Sequence, residues 1–401
     1  MGKVFRKILE YTMLFCLVCG IGVLISGNTA LAAEANIKGA KAAVLKAYKQ
    51  YQTEVDVSAY NLINGRDSGA VVDMMTEIIA QTPDLFYAGQ KFSKLVNASS
   101  NQIIKLELSY VKAFKTSSGK INTAKIKKTR SQIKSKVKKV LSQVSSNMTK
   151  LEKALVIHDY LVQNTSYYDG NEDYATSEWG VLLKGKGNCQ GYSKAYAILL
   201  EKVGIPVKYA DSIEMQHMWN VIKLNGKWYH VDVTWDDPVH PVTQKNQYGL
   251  VMHENFLCST TNMKKRGYTG IRCSVKTSKK YDNKYWKKVN SGFAYRSGKW
   301  LFQTNSAIKQ RTRIASGSSK TLSHAGGISF IKASKNKYYF INYNRVYLYN
   351  RKSNRVSLVL DGVIDYNKYN LTQLRYQKGE LEIRMLRGSK TKIVVMHLNN
   401  K

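Results

Sequence analysis

Gly185-Lys186-Gly187-Asn188-Cys189-Gln190-Gly191-Tyr192 opens an amphipathic pattern in which Tyr192, Ala195, Tyr196, Leu199 and Val203 share one helical face. Gly204 and then Pro206 stop it. Asn188 is a favourable N-cap, which puts Cys189 in the first turn. Unpaired backbone N–H groups and the helix dipole favour a thiolate there. A nucleophilic cysteine needs that setting, yet a small packed cysteine fits it equally well. A second segment tips the balance.

His217-Met218-Trp219-Asn220-Val221-Ile222-Lys223-Leu224 runs into Asn225-Gly226, a strong hairpin signal, and Lys227 to Thr234 returns. If Leu224 faces Lys227, then His217 faces Thr234 and Trp219 faces Asp232. His217 and Asp232 become same-face diagonal neighbours, about 7–8 Å apart between backbones. An imidazole and a carboxylate can bridge that gap. Met218, Ile222, Leu224, Val231 and Val233 take the other face and read as core. His230 lies opposite Val221, nearer the turn and farther from the cysteine. Thiol, imidazole and carboxylate together make an activated nucleophile, the base taking the thiol proton and the acid fixing the ring. A zinc site fares worse, because there is no H-E-x-x-H and no paired-cysteine spacing beyond residue 32. No metal and no cofactor are expected.

Gly187 to Tyr192, His217 to Asn220 and Trp228-Tyr229-His230-Val231-Asp232-Val233-Thr234-Trp235-Asp236-Asp237-Pro238 together resemble the transglutaminase-like superfamily. The branch they resemble is the exported bacterial one, similar to the transglutaminase-like domain of cytokinesis proteins. The likeness spans about residues 148 to 240, including Val156-Ile157-His158-Asp159-Tyr160-Leu161, where His158 and Asp159 read as structural. It implies a papain-like α/β fold with Cys189 as nucleophile, His217 as base and Asp232 as orienting acid. The oxyanion-side residue has no secure match, and Tyr167 and Tyr168 are candidates. Asp236 and Asp237 read as capping or turn residues, and no acidic cluster supports calcium dependence. The family holds transamidases, peptidases, amidases and non-catalytic members, so the resemblance leaves the reaction open.

Upstream, residues 36 to about 110 read as mixed α/β. Ala42, Leu45 and Tyr48 give Ala40 to Tyr51 helical spacing, and Val71 to Ile79 is a second helix broken by Thr82-Pro83-Asp84. Ile103 to Tyr110 alternates like a strand. Lys120 to Lys139 holds nine basic residues and no acid, but Ile126, Ile133, Val137, Val140 and Val144 fall on one face. That is a packed helix with a solvated basic side, and a further helix runs from Leu151 to Val162.

Downstream, residues 286–401 carry 23 basic residues and four acids. Short apolar runs such as Tyr338 to Ile341, Val346 to Tyr349 and Val356 to Val359 suggest strands. Gly298-Lys299-Trp300-Leu301, Lys337-Tyr338-Tyr339-Phe340 and Gly379-Glu380-Leu381-Glu382 recur at roughly 40-residue spacing, as repeated antiparallel units would.

The 401 residues include 43% apolar and 11% aromatic side chains, enough for packed cores and against a wholly disordered chain. Only 4 prolines beside 27 glycines exclude a collagen-like or proline-rich stalk. The net charge of +36 seeks polyanions. Residues 1–32 decide which kind. Lys3, Arg6 and Lys7 precede an apolar stretch from Tyr11 to Leu24, and Ala30-Leu31-Ala32 is an A-x-A cleavage site. The apolar run falls short of the roughly 20 residues of a membrane span, so an uncleaved anchor is the lesser alternative. Cys16 and Cys19 lie inside the removed segment and carry no function. A secreted or wall-associated protein this basic meets anionic cell-surface polymer, not nucleic acid. Beyond the leader Cys189, Cys258 and Cys273 remain, an odd number, and Cys258 with Cys273 could close a short loop.

The expectation is therefore an α+β chain: a papain/transglutaminase-like core, an α/β N-terminal region and a β-rich C-terminal domain. The segments are 1–32 leader, 33–147 α/β region, 148–285 catalytic domain and 286–401 basic β-rich domain. The expected function is cysteine acyl transfer, by hydrolysis or transamidation, on peptide or peptidoglycan-type amides. The alternative is a non-catalytic wall-associated binding protein that keeps the fold.

Overall fold

The computed structural model describes residues 35–397 apart from 171, 240–249, 335, 343–344, 361–369, 378 and 388–389. The leader, with Cys16 and Cys19, lies outside the described residues. The chain forms two compact units, one up to Ser131 and one from Gln132 onward.

In the first unit, α1 (Ile37–Lys49) starts where the Asn36 side chain accepts the Gly39 N–H. It buries Ala40, Val44, Ala47 and Tyr48, not the face through Ala42 and Leu45. The small Ala40 and Ala47 allow a close approach, and Leu45 is left at the margin. After β1 (Glu54–Asp56), α2 (Ser68–Gln81) ends at Thr82, whose extended backbone suits a residue before proline. β2 (Ala88–Val96) and β3 (Ile103–Tyr110) complete an antiparallel sheet of order β1-β3-β2. Ile103, Leu106, Leu108 and Tyr110 turn inward from β3, following the alternation in the sequence. α3 (Thr123–Leu141) leads on into the second unit and buries Ile126, Ile133, Val137 and Val140. Its lysines at 125, 127, 128, 134, 138 and 139 are exposed, and Val144 falls beyond its end.

Within the second unit, α4 (Lys150–Asn164) follows the end of α3 and is started by a capping box between Thr149 and Glu152. β4 (Ser166–Tyr167) pairs in parallel with β5 (Lys186–Gly187), and α5 (Cys189–Lys202) follows at once. β6 (Val207–Ser212), β7 (His217–Leu224), β8 (Lys227–Val231) and β9 (Phe256–Cys258) form an antiparallel sheet in that order. Asn225 (φ 49°) and Gly226 (φ 79°) both adopt the left-handed backbone that a tight hairpin turn needs. β7 is buried on both faces apart from Lys223. One face meets α5, where Ser193 Oγ donates to the Met218 carbonyl (3.1 Å). On the other, Trp219 and Val221 pack with Cys258, Met263 and Tyr268. The His217 face is therefore core along most of its length as well.

After the short α6 (Thr260–Lys265) come three antiparallel sheets in sequential strand order. They comprise β10 (Ala294–Arg296) to β13 (Lys320–Ser323), β14 (Ile328–Lys332) to β17 (Arg355–Leu360), and β18 (Asn370–Gln377) to β20 (Lys390–His397). The recurring segments at Lys299, Lys337 and Glu380 each begin the second strand of one sheet. The fold is thus α+β, with helices and an antiparallel sheet around the Cys189 turn and β-rich C-terminal sheets, as expected.

The first of these sheets is bonded into the core. Fully buried Glu152 on α4 accepts the Trp300 indole N–H and the Ile314 N–H at Oε1, both 3.1 Å, and Arg313 at Oε2 (3.2 Å). Asp159, one helical stretch on, accepts the Phe293 N–H (2.7 Å). No helix among the described residues is long and apolar enough to cross a membrane. Cys258 and Cys273 are both free thiols, so the loop that they could close is not formed. Each turns to a nearby carbonyl instead, Cys258 to Glu254 (3.2 Å) and Cys273 to Val275 (3.3 Å).

Candidate active site

Cys189 is the first residue of α5, and the Asn188 side chain accepts the Gly191 N–H (3.3 Å) to cap it. The glycines around it answer to space. A Cβ on Gly191 would lie 2.7 Å from the Ala175 carbonyl oxygen, and one on Gly187 2.6 Å from a Val181 methyl. The thiol therefore rides on a turn pressed against residues 175–181.

His217 begins β7. Its Nε2 bonds Asp232 Oδ2 (2.6 Å), and the Cys189 thiol hydrogen-bonds to the ring, which leaves Nδ1 for the sulfur. The ring stacks on Trp219 and Trp235, with centroids 5.6 and 5.0 Å away. Burial by itself would push the imidazole down, but the Asp232 charge and bond, then Cys189, override it and raise its pKa to about 10.

Asp232 is fully buried and lies just past the ladder, which ends at Asn220 opposite Val231. The expected Trp219–Asp232 pair does not form. Asp232 Oδ1 captures the backbone N–H groups of Thr234 (3.0 Å) and Trp235 (3.1 Å), and this turns the chain out of the strand. The carboxylate reaches His217 all the same. Oδ2 takes a second donor, the hydroxyl of Tyr268 (2.7 Å). Burial first, then the Asp232 charge, pushes the Tyr268 phenol far up, so it stays a donor.

Of the two tyrosine candidates, Tyr167 is the one at the thiol. It pairs with Gly187 across the β4–β5 bridge. Its residue is 41% exposed, yet burial around the hydroxyl, then the nearby Cys189, raises its pKa. Tyr168 instead stacks on Tyr174 and receives Lys186 over its ring. Trp235, 46% exposed, is the other aromatic rim of the site.

His230 has other work. Its Nδ1 accepts the Trp219 indole N–H and its Nε2 meets the Thr260 hydroxyl, both 2.9 Å. Burial drives its pKa down to about 4, so it stays neutral. It holds the tryptophan on which His217 stacks.

Behind the triad runs a second buried network. His158 bonds Asp159 through Nδ1 (2.9 Å) and Asp236 through Nε2 (3.0 Å), and His253 bonds Asp159 (2.9 Å) and the Val289 carbonyl (2.9 Å). Burial opposes charge on His158, but the two carboxylates raise it to about 9. Among the described residues, His158, Asp159 and His253 have metal-ligand chemistry with donor atoms within 4.8 Å. Each of those atoms is already bonded to another protein group, so the cluster is a hydrogen-bonded brace. Asp236 and Asp237 do lie in the turn after β8, where the Asp236 N–H donates to the Asp232 carbonyl (3.2 Å). Their side chains are not surface caps, however. Asp236 joins the network and holds Asn255, and Asp237 accepts the Tyr192 hydroxyl. Burial raises the Asp237 carboxyl well above its usual range.

Tyr268 escaped the sequence reading. It stands 36 residues beyond Asp232, outside any motif, and only the fold brings the two together.

Residues 137–233 match the model of the transglutaminase-like superfamily. Among solved structures, the chain is similar to a TGase at 16% identity and a TM-score of 0.25, over 36% of this chain and 44% of that one. It is also similar to a protein from Cytophaga hutchinsonii assigned as a cysteine protease, at 14% identity and a TM-score of 0.23, over 39% of this chain and 64% of that one. The chain thus spans less than two thirds of either neighbour's length. No curated protein matches it. The family match runs from inside α3 through the Cys189 turn and the His217 strand to the residue after Asp232, and the chain accordingly carries a domain of the transglutaminase-like superfamily.

Proposed function

We propose that the chain is an exported cysteine acyl-transfer enzyme acting on peptide or wall-peptide amides. The observation that carries this reading is the chain of contacts from the Cys189 thiol to His217 and from His217 to Asp232 at 2.6 Å. The Cys189 sulfur attacks the amide carbonyl as a thiolate, its proton held on His217. The C–N bond breaks, the amine leaves with that proton, and a thioester remains. Water or a second amine then attacks the thioester and gives its proton to His217, which frees the sulfur. Asp232 keeps the ring oriented through both steps. Tyr167, whose hydroxyl feels the nearby Cys189, is the candidate assigned in this reading to donate to the oxyanion. The exposed rings of Trp235 and Tyr167 form the rim against which a substrate lies.

In this reading residues 148–285 carry the chemistry, and 286–401 together with the lysine face of α3 hold the protein on anionic cell-surface polymer. The net charge of +36 and the leader-like N-terminus support that placement. A thiol-reactive amide-mimetic probe tests the central claim. It should label Cys189 much faster than the buried Cys258 or the half-buried Cys273. Burial raises the thiol pKa of both. Labelling no faster at Cys189 would favour the non-catalytic scaffold.

A further inference from the structure

Lys287 buries its ammonium against a cysteine. Its Nζ lies 2.9 Å from Cys258 Sγ, closer than the thiol's own bond to the Glu254 carbonyl at 3.2 Å. Two backbone carbonyls fix the ammonium there, Phe256 at 2.6 Å and Glu254 at 3.1 Å. Cys258 is fully buried and Lys287 is 9% exposed. None of the lysine's three partners is a carboxylate, so the usual compensation for a buried cation is missing. The sulfur belongs to the apolar cluster of Trp219, Val221, Met263 and Tyr268, a setting that dissolves dioxygen better than it dissolves water.

We propose that Cys258 and Lys287 form an oxidative cross-link, Sγ–O–Nζ, with dioxygen as the oxidant. The thiol and the ammonium together hold one S–H and three N–H hydrogens, of which one N–H is kept in the product and three are lost. One oxygen atom bridges sulfur and nitrogen, and the other leaves as water with two of the protons. The last proton goes to solvent. Sulfur and nitrogen each give up two electrons, and the four reduce dioxygen. Thiol reductants reverse the link with four electrons: two break the N–O bond, which returns the amine and a sulfenic acid, and two more reduce that acid to the thiol and water. The bridge would tie β9 to the turn Tyr285–Lys288. β9 flanks His230, and the Asn255 carbonyl just before it accepts the Asp232 N–H (3.2 Å), so the link braces the segment beneath Asp232. The proposal does not depend on catalysis by Cys189.

The test is peptide mapping by mass spectrometry of the full chain, prepared anaerobically with reductant, then exposed to dioxygen-saturated buffer. The expected product is one linked pair of peptides containing Cys258 and Lys287, heavier than their sum by one oxygen and lighter by two hydrogens. Dithiothreitol should return both peptides unmodified, and the pair should vanish in Cys258→Ser and Lys287→Arg. Recovery of a free thiol, a sulfinic acid on Cys258, or a link without the oxygen would overturn the proposal. The wild-type map decides even if a variant fails to fold.

Discussion

Tyr268 and His217 converge on a single atom: Oδ2 of Asp232 receives the phenol at 2.7 Å and the imidazole at 2.6 Å. With two backbone N–H groups on Oδ1, the carboxylate holds four donors and is locked in orientation. Its negative charge is also shared, so His217 feels only part of it.

Tyr268→Phe should therefore strengthen the pull of Asp232 on His217. We expect the alkaline limb of the pH–rate profile to move up and kcat to fall about tenfold, with KM little changed, in line with roughly 1.5–3 kcal/mol for a hydrogen bond to a charged group. An unmoved profile would reduce Tyr268 to packing.

Cys189→Ala should abolish amide turnover, a loss on the order of 10⁴-fold or more, without changing the circular dichroism. His217→Ala should cost nearly as much. His230→Ala should cost far less in rate but about 1–3 kcal/mol in stability, because it orphans the buried Trp219 indole N–H. A His230 variant more inactive than the His217 variant would contradict the assigned roles.

Stability should peak near pH 6.5. His158 and His217 have folded pKa values raised to about 9 and about 10 from 6.5. Their contribution is complete below pH 6.5 and is lost as the pH rises through those values. His230, lowered to about 4, works the other way: its contribution is present above pH 6.5 and is lost as the pH falls through 4. Urea midpoints measured across pH check this, and His158→Gln should flatten only the alkaline side.

Retention on purified cell walls should be long-range and poorly specific. The full chain should bind walls containing teichoic acid, bind stripped walls weakly, and elute with salt, since exposed charges are screened over about 10 Å at 0.1 M. Binding indifferent to salt and to teichoic acid would mean a shaped site instead.

What the sequence revealed was what local chemistry decides. The Asn188 cap, the Asn225-Gly226 turn and the pairing from Leu224–Lys227 to Asn220–Val231 each depend on residues close in the chain. The register reading failed one step later, at Asp232, where a side chain captured two backbone amides and ended the strand. Tyr268, His253 and Asp236 were illegible as partners because each is recruited across 19 or more residues by packing, with no periodicity to mark it. In α1 the helix was legible but its buried face was not, since two alanines outranked a leucine once neighbours had to approach closely.

Glu152 and Asp159 have a consequence for the order of events during synthesis. The family match closes at residue 233, yet these two acids on α4 wait for His253, Phe293, Trp300, Arg313 and Ile314. Until residue 314 has left the ribosome, these two carboxylates have only their neighbours Thr149 and His158 and part of their final set of donors. The thiol-bearing helix can be made early, but its housing is finished late, and a nascent chain halted before the first C-terminal sheet would hold Cys189 in an incomplete core.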